Sequence, residues 1–144
     1  MLQFKNVTLS FGERNVLENV SFELGKGEFV YLTGRTGSGK SSLLRLIYAD
    51  LKPTRGVVKF GEFSSDTLKT SQIPFLRRKL GVVFQDFSLL PDKTVGENLA
   101  FVLRATGWTN KTAIKNRINE ALMTVGLSAR ANHYPHQLSG GEQQ

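Results

Sequence analysis

Residues 34–41 read Gly34-Arg35-Thr36-Gly37-Ser38-Gly39-Lys40-Ser41, a glycine followed after four residues by Gly-Lys-Ser. This is the pattern of a phosphate-binding loop. Phosphates carry dense negative charge, and backbone N–H groups are the donors that can wrap them closely. Glycines at 34, 37 and 39 permit backbone turns that a Cβ would obstruct. The loop is expected to open into a helix whose unpaired N–H groups and dipole favour an anion. Lys40 is then placed to reach the β- and γ-phosphates of a nucleotide, and the Ser41 hydroxyl to complete the shell of a Mg²⁺ ion.

A second stretch, Ser139-Gly140-Gly141, offers related chemistry. Ser139 is an N-cap residue type, and the two glycines bare their backbone N–H groups, so a second helix N-terminus fitted for phosphate is expected. Alone, Ser-Gly-Gly carries little; its meaning comes from sharing a chain with a phosphate loop. His133 and His136 invite a metal reading, but no carboxylate or thiolate accompanies them, and structural roles are expected.

The flanks of the loop suit it. Residues 29–33, Phe-Val-Tyr-Leu-Thr, read as a strand leading in. Residues 42–48 are apolar at helical spacing and read as a helix leading out. Upstream, residues 2–10 alternate apolar and polar and predict a strand, with an irregularity at Lys5-Asn6. A turn follows at 11–15, then a second alternating strand over 16–24 with Val16, Val20, Phe22 and Leu24 inward, then a turn at 25–28. After the loop helix, proline and glycine mark a turn at 51–56. A short strand is expected at 57–60, a loop over 61–71, and a short basic helix from Ile73 through Lys79. Residues 80–84, Leu-Gly-Val-Val-Phe, form a continuous apolar run expected of a strand buried on both faces. Gln85 opens a loop. Helices are predicted over 94–105, with Thr94 as cap and Glu97 three residues on, and over 112–125, stopped by Gly126. Trp108 is expected to staple the two together.

Composition narrows the class. The 144 residues, 40% hydrophobic and 22% charged, suit one ordinary globular domain with a real core. With no cysteine there is no disulfide framework and no thiolate metal site. No apolar run approaches the ~18 residues needed to span a bilayer, and the charged, alternating N-terminus does not read as a signal peptide. The expectation is a protein that does not insert in a membrane unaided but can dock on a membrane protein. The net charge of +7 could suggest nucleic acid. The cations are scattered, however, and the only tight run, Arg77-Arg78-Lys79, reads as a solvated helix face or a protein contact; no nucleic acid is expected.

The order of motifs carries a resemblance. Residues 34–41, then Gln85 after the apolar run, then Leu138-Ser139-Gly140-Gly141-Glu142-Gln143-Gln144, resemble the ATP-binding subunit of ABC transporters over the whole chain. Residues 73–101, IPFLRRKLGVVFQDFSLLPDKTVGENLAF, are most similar to the FtsE-type cell-division branch of that family. The resemblance implies an α/β P-loop NTPase core with an antiparallel β subdomain and a helical subdomain. It implies ATP and Mg²⁺ as cofactors, a homodimer of ATP-binding subunits, and an FtsX-like integral membrane subunit as partner at the cytoplasmic face of the plasma membrane. By position, Phe11 matches the aromatic that stacks on adenine. Gly34, Arg35, Thr36, Gly37, Ser38, Gly39, Lys40, Ser41 and Ser42 match the phosphate loop. Gln85 matches the glutamine that contacts Mg²⁺ and the attacking water. Ser139, Gly140 and Gly141 match the signature that seals the γ-phosphate of the partner subunit's ATP. Lipoprotein-release and macrolide-efflux ATPases are the alternatives within the family. A soluble ABC-type ATPase acting on DNA or ribosomes, or a non-catalytic binding module, are those outside it.

One departure stands out. The family supplies, after the signature, a strand ending in an aspartate for Mg²⁺, a glutamate base and a switch histidine, and no residue of 1–144 stands in for them. The sequence therefore reads as one partial ATP-binding domain, divided into 1–84, 85–136 and 137–144, and inactive alone. Gly96, where FtsE-like chains more often carry a larger residue, is assigned no role.

Overall fold

The computed structural model describes residues 1–144, which fold as two compact units, Met1–Gly81 and Val82–Gln144.

In the first unit a four-stranded antiparallel sheet has the order β2-β1-β3-β4, with β1 Leu2–Phe11, β2 Arg14–Leu24, β3 Arg55–Phe60 and the two-residue β4 Phe63–Ser64. The expected irregularity in β1 is real. Asn6 has φ 49, and the register with β2 shifts between Phe4 and Val7. A bulge of this kind flips the parity of a strand, so Leu2 and Phe4 before it and Val7 and Leu9 after it all face one core. The same device recurs at Asn19 of β2, φ 48. It corrects the inward set there: Leu17 is buried, Val20, Phe22 and Leu24 pack partly against the core, and Val16 does not join them. The turn between β1 and β2 is tighter than read, since Phe11 already pairs with Arg14.

Helix α1, Lys40–Ile47, lays Leu43 and Leu46 on this sheet, and Phe4 stacks on Phe22 with ring centroids 4.5 Å apart. Each such buried side chain contributes about 1.5–3 kcal/mol. Helix α2, Ile73–Arg77, stops short of Lys79 and buries Leu76. The predicted loop over 61–71 contains β4, which pairs Phe63 with Phe60 across a tight turn.

Two expected strands are not formed. Residues 29–33 and 80–84 carry the right residue types, but neither pairs with any strand of this chain. Phe29 and Tyr31 are 78% and 80% exposed, touching each other edge to face at 4.9 Å, and Val83 is 67% exposed. A strand exists only through its ladder; β-propensity supplies a surface that can pair, not the pairing.

The second unit is helical. Helix α3, Val95–Ala105, begins at Thr94, whose hydroxyl accepts from the Glu97 N–H, while the Glu97 carboxylate accepts from the Thr94 N–H and hydroxyl at 2.8 and 3.0 Å. Helix α4, Lys111–Thr124, starts one residue earlier than the expected 112–125, is capped by Asn110, whose side chain accepts from the Ala113 N–H, and stops at Gly126, φ 74. Ile114 and Leu122 form its buried stripe. Trp108, expected to staple the two helices, is 40% exposed. Helix α5, Gly140–Gln143, begins at Ser139.

Candidate nucleotide site

The phosphate loop is built on β2 and α1. Gly39, at φ 92, forms the N-cap of α1, and a Cβ there would lie 2.9 Å from both the Val16 carbonyl and the Leu17 side chain. The turn is thus glycine's on two grounds, backbone angle and close approach to β2. The Arg35 carbonyl accepts from the Ser38 N–H at 3.1 Å, closing the loop on itself. No side chain caps α1 and no acid stands in its first turn, so its N-terminal N–H groups and dipole are left for an anion. Lys40 folds back over the loop, its Nζ donating to the Gly34 and Arg35 carbonyls at 2.7 and 2.8 Å. An ammonium has three donors, so one remains for a phosphate oxygen. Thr36, Gly37 and Ser38 form the exposed crown of the loop, and Ser41 and Ser42 lie in the first turn of α1. Phe11, 52% exposed, stands at the tip of the hairpin whose β2 arm backs Gly39. A flat ring free of core contacts is what a base could stack on.

In the helical unit, Gln85 is exposed and is followed by two left-handed residues, Phe87 at φ 58 and Ser88 at φ 48. Ser139 caps α5 with a reciprocal bond pair that sequence reading did not assign. The Glu142 carboxylate accepts from the Ser139 N–H at 2.9 Å and its hydroxyl at 2.8 Å, and takes Arg130 Nε at 2.9 Å. Those partners, in that order, pull the Glu142 carboxyl from the ordinary 4.5 down to about 2. Glu142 thus preorganises the Gly140-Gly141 turn. The Ser-x-x-Glu spacing was the available signal. A largely apolar hollow of about 620 Å³ between Leu99, Leu122 and Leu138 reaches the start of α5, with Ser139 and Gly141 in its lining.

The sequence profile of the ABC transporter family matches residues 17–144. The whole chain is 44% identical to the cell division ATP-binding protein FtsE of Bacillus subtilis and 42% identical to that of Escherichia coli K12, spanning 63% and 65% of those proteins. Among solved structures it resembles the dimeric bacterial ABC transporter cassette MJ0796, with a TM-score of 0.87 and 38% identity over 99% of this chain and 65% of that one. The post-hydrolysis dimer of the same cassette, bound to ADP and Pi, gives 0.85 and 37%. The α/β P-loop cassette is therefore the fold class, and the two apolar runs that join no sheet of this chain fall within it.

Proposed function

The chain belongs to the ABC transporter family, and from that premise we propose that it is the ATP-binding part of a cell-division complex of the FtsE type. The observation that carries the reading is the Lys40 ammonium bridging the Gly34 and Arg35 carbonyls over an uncapped helix N-terminus. In this reading residues 34–42 hold the β- and γ-phosphates, and Phe11 stacks on adenine. Two copies form a homodimer in which Ser139, Gly140 and Gly141 of one close on the γ-phosphate held by the other.

Ser41 and Gln85 offer oxygen donors of the kind Mg²⁺ takes, and that ion when bound would neutralise phosphate charge. Gln85 is assigned to that ion and to the attacking water. Closure of the pair would pull on an FtsX-like integral membrane subunit at the cytoplasmic face of the plasma membrane. No helix here is long and apolar enough to cross a membrane.

Titration with a fluorescent ATP analogue tests the site. Lys40→Ala should abolish binding, and Phe11→Ala should weaken it about tenfold, the scale of one lost base–aromatic stack. Wild-type affinity in Lys40→Ala would remove the assignment of this loop.

A further inference from the structure

Lys40 and Ser41 ride on α1, which has only 8 residues. Isolated helices need about 12–15 residues to persist in water. Any helix leaves its first four N–H groups and last four carbonyls without internal partners, so half of the backbone N–H and carbonyl groups of α1 depend on its surroundings. What holds its C-terminal end therefore bears on how its N-terminal end meets phosphate.

Helices α1, α3 and α4 close with the same backbone bonds. In α1, Asp50 N–H donates to the Arg45 carbonyl at 2.9 Å and Ala49 N–H to Leu46 at 3.3 Å. In α3 the donors are Trp108 to Leu103 and Gly107 to Arg104, both 3.0 Å; in α4 they are Leu127 to Leu122 at 2.8 Å and Gly126 to Met123 at 3.1 Å. This closure needs a left-handed residue at its pivot, usually glycine. Gly107 and Gly126 fill that place at φ 99 and 74, but in α1 it is Ala49, at φ 54. A Cβ is strained there.

Arg77 of α2 grips that turn. Its Nε donates to the Tyr48 carbonyl at 3.0 Å and its Nη2 to the Ala49 carbonyl at 3.5 Å. Nη2 also lies 3.9 Å from Asp50 Oδ1, and the guanidinium carbon sits 5.9 Å from the Tyr48 ring centre. Asp50 accepts in turn from Arg45 Nε at 2.6 Å. A cation at a helix C-terminus also suits the dipole. The neighbouring cations do other things: Arg78 lies 5.2 Å over the Phe75 ring, and Lys79 pairs with Glu62.

We infer that Arg77 is a positioning residue for the phosphate loop. By holding the two carbonyls that flank the strained turn at Ala49, α2 keeps α1 in the register that presents Lys40 and Ser41 to phosphate. The inference rests on the nucleotide-binding reading of residues 34–42.

Fluorescent-ATP titration of the full-length protein, with circular dichroism of each variant, tests it. Arg77→Ala should weaken affinity about threefold to tenfold, the scale of a charge at a helix terminus. Arg78→Ala, which removes the same charge, should stay within about twofold. Adding Ala49→Gly to Arg77→Ala should restore most of the loss, because glycine needs no clamp at that pivot. If Arg77→Ala does not fold, Arg77→Lys takes its place and should give a smaller loss, since an ammonium can hold one carbonyl but not the fork.

Wild-type affinity in the Arg77 variant overturns the inference. So do equal losses in the Arg77 and Arg78 variants, no rescue by Ala49→Gly, or a loss that only tracks the unfolded fraction. Lys40→Ala in the same titration separates the two claims. Intact binding there sinks the site and this inference together, whereas abolished binding with an unaffected Arg77 variant sinks the inference alone.

Discussion

Gly56 stands opposite the bulge of β1, at φ 78, and a Cβ built on it would fall 2.2 Å from the Asn6 carbonyl oxygen and 2.4 Å from that of Lys5. Both obstacles are backbone in the centre of a sheet, so neither can move aside cheaply. Gly56→Ala is expected to cost about 2–3 kcal/mol or more, combining strain at positive φ with the clash, and to lower the thermal midpoint of the sheet unit accordingly. A midpoint within experimental error of wild type would show that the bulge is adaptable and that the register of β1 is less constrained than the geometry says. The same residue scale explains why the loop at 34–42 could be read directly: its chemistry lies in contiguous residue types whose partners, Lys40 with Gly34 and Arg35, are near neighbours in sequence.

Among the elements, α3 owes its position to contacts that spacing does not reveal. Asn98 accepts the Leu90 N–H at 2.8 Å and donates through Nδ2 to the carbonyls of Leu90, Lys93 and Thr94 at 3.1, 3.1 and 3.0 Å. One half-buried amide thus ties the loop after Gln85 to the helix that follows. Asn98→Ala should destabilise the protein by about 1–3 kcal/mol, because it leaves loop groups unpaired. Asn98→Asp should be no better, since a carboxylate cannot replace the donors. Chemical denaturation checks both; an Asp variant as stable as wild type would contradict the network.

Gly96, assigned no role from sequence, also proves to have a contact. Its N–H donates to the Ala131 carbonyl at 2.8 Å, and a Cβ would sit 3.1 Å from that oxygen. The cap at Thr94 and the stop at Gly126 were legible because their signals are local. The Asn98 network, the Gly96 approach and the Arg77 clamp were not, because a side chain's distant partner leaves no period in the sequence.

At the scale of the whole molecule, the chain spans 63–65% of the relatives it matches. The runs at 29–33 and 80–84 show the limit of sequence reading from the other side. Their residue types promise strands, yet strand formation depends on what lies alongside. The central claim concerns two molecules: ATP held at residues 34–42 of one copy is sealed by Ser139–Gly141 of the other. Sedimentation velocity of the full-length protein with a non-hydrolysable ATP analogue tests it most directly, alongside Ser139→Arg and Lys40→Ala. Nucleotide should convert wild type from monomer to dimer. Ser139→Arg should bind nucleotide with near-wild-type affinity yet remain monomeric, and Lys40→Ala should do neither. A wild-type protein that binds the analogue and stays monomeric, or a Ser139→Arg variant that dimerises like wild type, would contradict the account.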